Sequence, residues 1–222
     1  MTTPPECHLK TGGDPRTLAD YARLRDEMNK LTHPARPDVN WQHAETLCLS
    51  LFEHNGVELQ TAAWYTLART HQAGLNGLNE GLTILVALVS RQWGNVWPQQ
   101  TAVRMKILSS LSKRLQLAMR TLPLTSIDLR QLYQAEAHLA ALDDVLQRLE
   151  LKHVSQLDAL YTLMHNTAVR LEDSENKEET ALQTGAAMPE PSCASLPEPT
   201  VQMKWVYVAE PAPRPEADAV TA

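Results

Sequence analysis

The sequence predicts an all-α fold: about seven amphipathic helices packed as antiparallel hairpins, followed by a disordered Pro- and Glu-rich tail. Three observations carry this expectation. The apolar content of 43% contains a single Phe and rests on Leu and Ala, which favour helix over strand. Apolar residues recur at helical spacing in consecutive stretches. The breaks between those stretches are short and built on Pro, Gly and Asn, so sequence neighbours should return antiparallel.

Residues 1–13 hold Pro4, Pro5, Gly12 and Gly13 without periodicity and read as an irregular arm. A helical domain is expected over 14–171. Its first helix starts near Thr17 behind Pro15, carries Leu18, Tyr21, Leu24, Met28 and Leu31, and is broken by "THPARPD". Asn40 is placed to cap a second helix with Trp41, Ala44, Leu47 and Leu51 inward, ending near Asn55-Gly56. A third spans about 58–71 with Leu59, Ala63 and Leu67 on one face, and Gly74 is its stop. The fourth covers about 78–93, with Leu78, Leu82, Leu85, Val86, Val89 and Trp93 apolar and Pro98 forcing the turn. The fifth, about 101–122, buries Val103, Ile107, Leu111, Leu115 and Leu122 before Pro123. The sixth, capped by Ser126 or Asp128, carries Leu129, Leu132, Leu139, Leu146 and Leu149. The seventh, about 155–171, uses Leu157, Leu160, Met164 and Ala168.

From Glu172 onward the composition turns to Glu, Pro, Ser, Thr and Ala, which cannot bury enough apolar surface to offset its ordering entropy. Residues 172–222 are therefore expected to be a disordered linker or tail. Ten acidic residues there face only Lys177, Lys204 and Arg214, so of the formal charge of −6 the tail carries −7 and residues 1–171 carry +1. One run in it, "KWVYVAEP", is apolar and β-prone. Its 204–210 stretch, with Trp205 and Tyr207, has the form of a docking strand.

The chain lacks an apolar run of the roughly 18 to 20 residues that a membrane span needs, and its start is not a signal peptide. Cys7, Cys48 and Cys193 are odd in number and far apart, so neither a disulfide framework nor a zinc knuckle is suggested, and a cytoplasmic location fits. No nucleophile elbow, H-E-x-x-H, P-loop or kinase set is present, and no cofactor is implied. Gly74, Gly77 and Gly81 are spaced unlike a phosphate loop; a helix stop at Gly74 and a close helix approach at Gly81 explain them better. His138 with His153 or His165 lacks metal-ligand spacing.

Three surface features are candidates for function. From Arg91 to Arg120 all six charges are basic. Lys106, Lys113 and Arg120, seven apart, form a row turned away from the apolar stripe. It is either a solvated helix back or a ridge for an acidic partner, another protein or this chain's own tail. Nucleic acid is not favoured, since no aromatic stacking series lies beside the row. "WGNVWPQQ" places Trp93 and Trp97 four apart. They are expected to plug the core near Trp41 and Trp64, with a partner hot spot as the alternative. Asp14 is placed to cap the first helix while Arg16 ties the arm to the body; the alternative is a recognition corner.

The strings "GGDPRTLADYARLRDEMNKLTHPARPDVNW" and "ELQTAAWYTLARTHQAGLNGLNEGLTILVALVSRQWGNVWP" resemble the ImpA-type N-terminal domain of the TssA family of bacterial type VI secretion proteins. The order carries the resemblance: Asp-Pro-Arg, a tyrosine-bearing helix, a Trp after a Pro/Asp loop, a Leu-x-x-Ala-x-Trp helix, a Gly-rich turn, and a Leu-rich helix closing on Trp-Pro. It covers about residues 12–120. The Gly-Gly-Asp-Pro-Arg start and "KWVYVAEP" are most similar to the VasL-like or TagA-like accessory branch. In that branch a membrane-spanning segment and a further domain are implied after the linker, which would place the protein at the inner face of the inner membrane. The resemblance implies a non-enzymatic helical adaptor. Its implied partners are TssA-type cap, sheath, baseplate or membrane-complex proteins, and it leaves room for a homo-oligomer. An uncharacterised helical enzyme and, behind it, a nucleic-acid binder are the other classes considered.

Overall fold

The computed structural model describes residues 10–35, 37–151 and 156–184, with the side chains of Glu175 and residues 177–184 outside that description. Cys7, His153, Cys193 and the stretch beyond 184 with Trp205 and Tyr207 lie outside the described residues. The described part is all-α: α1 (Ala19–Asn29), α2 (Trp41–His54), α3 (Leu59–Arg91), α4 (Thr101–Met119), α5 (Leu129–Arg148) and α6 (Leu157–Thr184). Short 3-10 turns follow α1 and precede α5.

Local chemistry sets the boundaries. The Asn40 side chain accepts the His43 N–H at 3.0 Å and opens α2, as its position predicts. Glu27 fixes the loop before it, accepting from the Asn40 N–H and from Lys30 Nζ at 2.8 Å. Asp128 does not cap α5 directly. It accepts the Thr125 N–H at 2.9 Å and closes the 3-10 turn that leads into α5.

Helix α3 contains both the third and the fourth expected helices. Gly74, at φ 56° and ψ −134°, breaks the helical path, and the chain folds back on itself there. The two limbs touch backbone to backbone: a Cβ on Gly77 would lie 2.1 Å from the Arg69 carbonyl oxygen, and one on Gly81 2.6 Å from Thr66 Cα. Over its full length α3 is long and apolar enough to cross a membrane. Folded at Gly74, neither limb reaches the roughly 20 residues that a span needs, and its apolar faces are core. Leu67, Leu78, Leu82, Leu85 and Leu88 are all buried.

The core has two parts. In the smaller, Leu24 and Met28 of α1 meet Ala44, Leu47, Cys48 and Leu51 of α2 and Ala68 of α3. In the larger, α3 packs against α4 and α5, and α6 packs against the same two helices, through Leu108, Leu111, Leu115, Leu132, Leu139, Leu160 and Met164. Each enclosed Leu contributes about 1.5–3 kcal/mol.

Three expectations change. Val103 is 41% exposed, and its neighbour Arg104 is buried instead. Leu149, expected inward, is 37% exposed just past the end of α5. Helix α6 passes the expected end at Leu171 and runs to Thr184, because 172–184 is rich in the helix formers Glu, Lys, Gln, Ala and Leu although it lacks an apolar stripe.

Candidate functional site

The segment 93–98 is held by a residue that the sequence pattern conceals. Arg104, 3% exposed, projects from the first turn of α4 beneath this loop. Its Nε donates to the Pro98 carbonyl, Nη1 to Trp93 and Nη2 to Val96, each at 2.5 Å. The guanidinium also lies 4.7 Å from the centre of the Trp93 ring. Backbone carbonyls in a tight loop have no helical partners, so one planar fork of donors satisfies three at once. The signal that could have found it is an Arg in the first turn of a helix following a Trp-Pro break.

Trp41, Trp64, Trp93 and Trp97 are each half-buried rather than enclosed. They do not form one cluster. Trp41 stacks on His71 with centroids 3.9 Å apart, Trp64 meets Tyr21 at 5.6 Å, and Trp97 lies beneath Arg16 at 5.6 Å. Trp93 packs on the larger core cluster.

The Asp14–Arg16 corner is built onto the same end of the bundle. The arm pairs with the α2–α3 loop: Val57 N donates to Lys10 O at 2.7 Å, and Gly12 N donates to Val57 O at 2.8 Å. Gly56, at φ 95°, has no room for a side chain, since a Cβ there would lie 2.7 Å from Lys10 O. Asp14 does not cap α1, whose N-cap is Leu18 without a side-chain bond. It accepts instead from Arg16 N at 3.0 Å and from the Arg16 guanidinium at 2.6–2.9 Å. That pairing holds the Asp14 carboxyl below its usual pKa. Arg16 remains 65% exposed along its side chain.

Behind the corner sits Glu58, 1% exposed, which caps α3 by accepting from Gln60 N at 2.7 Å and from the Thr61 N–H and hydroxyl. Burial pushes its carboxyl up to about 7 against the pull of those hydrogen bonds. Leu59 N donates to Trp97 O at 3.0 Å, which joins the α3 start to the Arg104-held loop.

Lys106 and Lys113 on α4 and Arg120 at its C-cap are all exposed, and among the described residues none has an ion-pair partner. Leu117, 64% exposed, lies between Lys113 and Arg120 in the same row. The surface is therefore both cationic and apolar.

A cleft of about 250 Å³ between α5 and α6 is lined by Leu139, Asp144, Asp158 and Tyr161 among others. Among the described residues no His, Cys, Asp or Glu group is placed to hold a metal. His138 lies 3.3 Å from the Thr83 hydroxyl and His165 3.6 Å from Glu136. Cys48 is a buried free thiol.

The comparisons agree with this architecture. A model of the N-terminal region of ImpA, of the type VI secretion system, matches residues 6–113. Among solved structures the chain is similar to the N-terminal domain, including the conserved ImpA_N region, of the TssA component of the type VI secretion system from Burkholderia cenocepacia. That likeness has 16% identity and a TM-score of 0.62, and covers 78% of this chain and 92% of that one. A search of curated protein sequences gives no match. Residues 6–113, which hold the Gly74 hairpin and the Trp-Pro loop, match the ImpA-type N-terminal domain of the type VI secretion system.

Proposed function

We propose that the protein is a non-enzymatic helical adaptor of a type VI secretion apparatus, working by protein–protein contact with sheath, baseplate, cap or membrane-complex components. The observation that carries this reading is the outward row along α4 of Lys106, Lys113 and Arg120, with Leu117 exposed between the last two. Exposed cations steer an acidic partner, and an exposed leucine offers it an apolar anchor. The Arg16–Trp97 corner is a second surface of the same kind, a cation over a half-buried aromatic. The Gly-Gly-Asp-Pro-Arg start and the "KWVYVAEP" run favour the VasL-like or TagA-like accessory branch.

Affinity capture with the full chain from cells running an active secretion system tests the adaptor role. Apparatus components should be retained and should elute as salt is raised. Retention of none of them would overturn it.

A further inference from the structure

Where the α4 row ends, it opens into a groove of about 480 Å³ between the α4–α5 connection and α6. Leu122 and Leu124 line one side and Leu163 the other. Arg120 stands on the first side and Arg170 on the second, both exposed. Among the described residues neither guanidinium has a carboxylate partner. Of the described acids near Arg170 in sequence, Glu172 accepts from the Tyr133 hydroxyl and Asp173 forms no ion pair. The end of α4 and the face of α6 thus hold two like charges over an apolar floor, and no described carboxylate pairs with either.

A guanidinium binds carboxylate through paired donors. The C-terminal end of α4 also lies here and carries the negative end of its dipole. Backbone amides therefore do not attract an anion at this place, and recognition falls to the two side chains. We propose that this groove seats one apolar side chain of an acidic partner peptide while Arg120 and Arg170 clasp carboxylates on either side of it. The proposal rests on the docking reading of α4 and names the chemistry of what docks; Arg170, on α6, is not part of the row.

The test titrates the full chain with three synthetic peptides and follows amide shifts: a Glu-rich peptide with one central Leu, the same peptide with Ala at the centre, and a Lys-rich counterpart. The first should bind, with shifts centred on 120–124 and 163–170. The Ala peptide should bind about tenfold more weakly, and the Lys-rich peptide not at all. Arg170→Glu should weaken the Leu peptide about tenfold, Arg170→Lys should weaken it less because an ammonium keeps the charge but loses the paired donors, and both variants should melt like the parent. Equal binding by Arg170→Glu, equal binding of the Ala peptide, or binding of phosphatidylserine vesicles in place of the peptide would overturn the groove. If Lys106→Glu with Lys113→Glu abolishes capture of apparatus components and Arg170→Glu leaves both capture and peptide binding intact, the groove fails and the row stands. If neither variant alters capture, both fail.

Discussion

The Arg104 guanidinium covers the Trp93 ring at 4.7 Å and donates to the carbonyl of that same residue. One buried cation thereby fixes both the backbone and the side chain of the loop that joins α3 to α4. Removing it strands three carbonyls, and charged hydrogen bonds contribute about 1.5–3 kcal/mol each without adding fully. Arg104→Ala should lose about 3 kcal/mol or more in urea denaturation. Arg104→Lys should recover less than half, because an ammonium cannot span three acceptors. A Lys variant as stable as the parent would refute the fork geometry.

Glu58 makes folding depend on pH. Burial pushes its carboxyl up to about 7 in the folded state, against an ordinary glutamate value of 4.5. The folded protein therefore holds this proton more tightly than the unfolded chain. The contribution is fully present below about pH 4.5 and is lost as pH rises through about 7. At about 1.4 kcal/mol per unit, the loss amounts to about 3 kcal/mol. Glu58→Gln, which removes the titration and keeps one acceptor oxygen, enough for Thr61 but not also for Gln60, should flatten the urea midpoint between pH 4.5 and 7 relative to the parent. Identical pH profiles would contradict it.

Gly77 and Gly81 test the folded-back α3. In a helix Ala is better than Gly by about 1 kcal/mol, so on propensity alone both Gly→Ala changes stabilise. The limbs leave no space, however: the new Cβ would sit 2.1 Å from Arg69 O or 2.6 Å from Thr66 Cα, and backbone cannot move aside cheaply. Each substitution should lower the thermal midpoint, with a net loss of about 1–3 kcal/mol. A rise in midpoint would mean the limbs are not so close.

Much of this arrangement is legible in the sequence. The Asn40 cap, the break at Gly74 and the close approach at Gly81 follow from local rules, and the Leu spacing of α2 to α6 locates the core. What escapes is non-local. Arg104 is buried because three carbonyls eleven, eight and six positions earlier need donors, and no helical periodicity records that need. The apolar Val103 beside it is displaced outward in consequence. The place of Trp93 at the end of an apolar face, with Trp97 one turn on, predicts packing near Trp41 and Trp64, yet each tryptophan meets a different partner supplied by the fold: His71, Tyr21, Arg104 and Arg16. The extent of α6 was hidden for another reason, since a segment without an apolar stripe can still be helical by propensity.

Arg16 separates structure from recognition at the N-terminal corner. Its bonds go to Asp14, two residues away, and its own side chain is exposed, so Arg16→Ala should change stability by no more than about 0.5 kcal/mol. Trp97 loses its cation, and its fluorescence should shift. A large stability loss would show that the Arg16–Trp97 contact anchors the arm.

The most direct test of docking through α4 is quantitative capture of secretion-apparatus components by the full chain and by the triple variant Lys106→Glu, Lys113→Glu, Arg120→Glu over a series of salt concentrations. Surface charges are screened beyond about 8 Å at physiological ionic strength, so capture by the parent should fall steeply with salt. The variant should melt within about 0.5 kcal/mol per substitution of the parent and capture little even at low salt. Equal capture by both proteins at low salt would contradict docking through the row and leave it a solvated helix face.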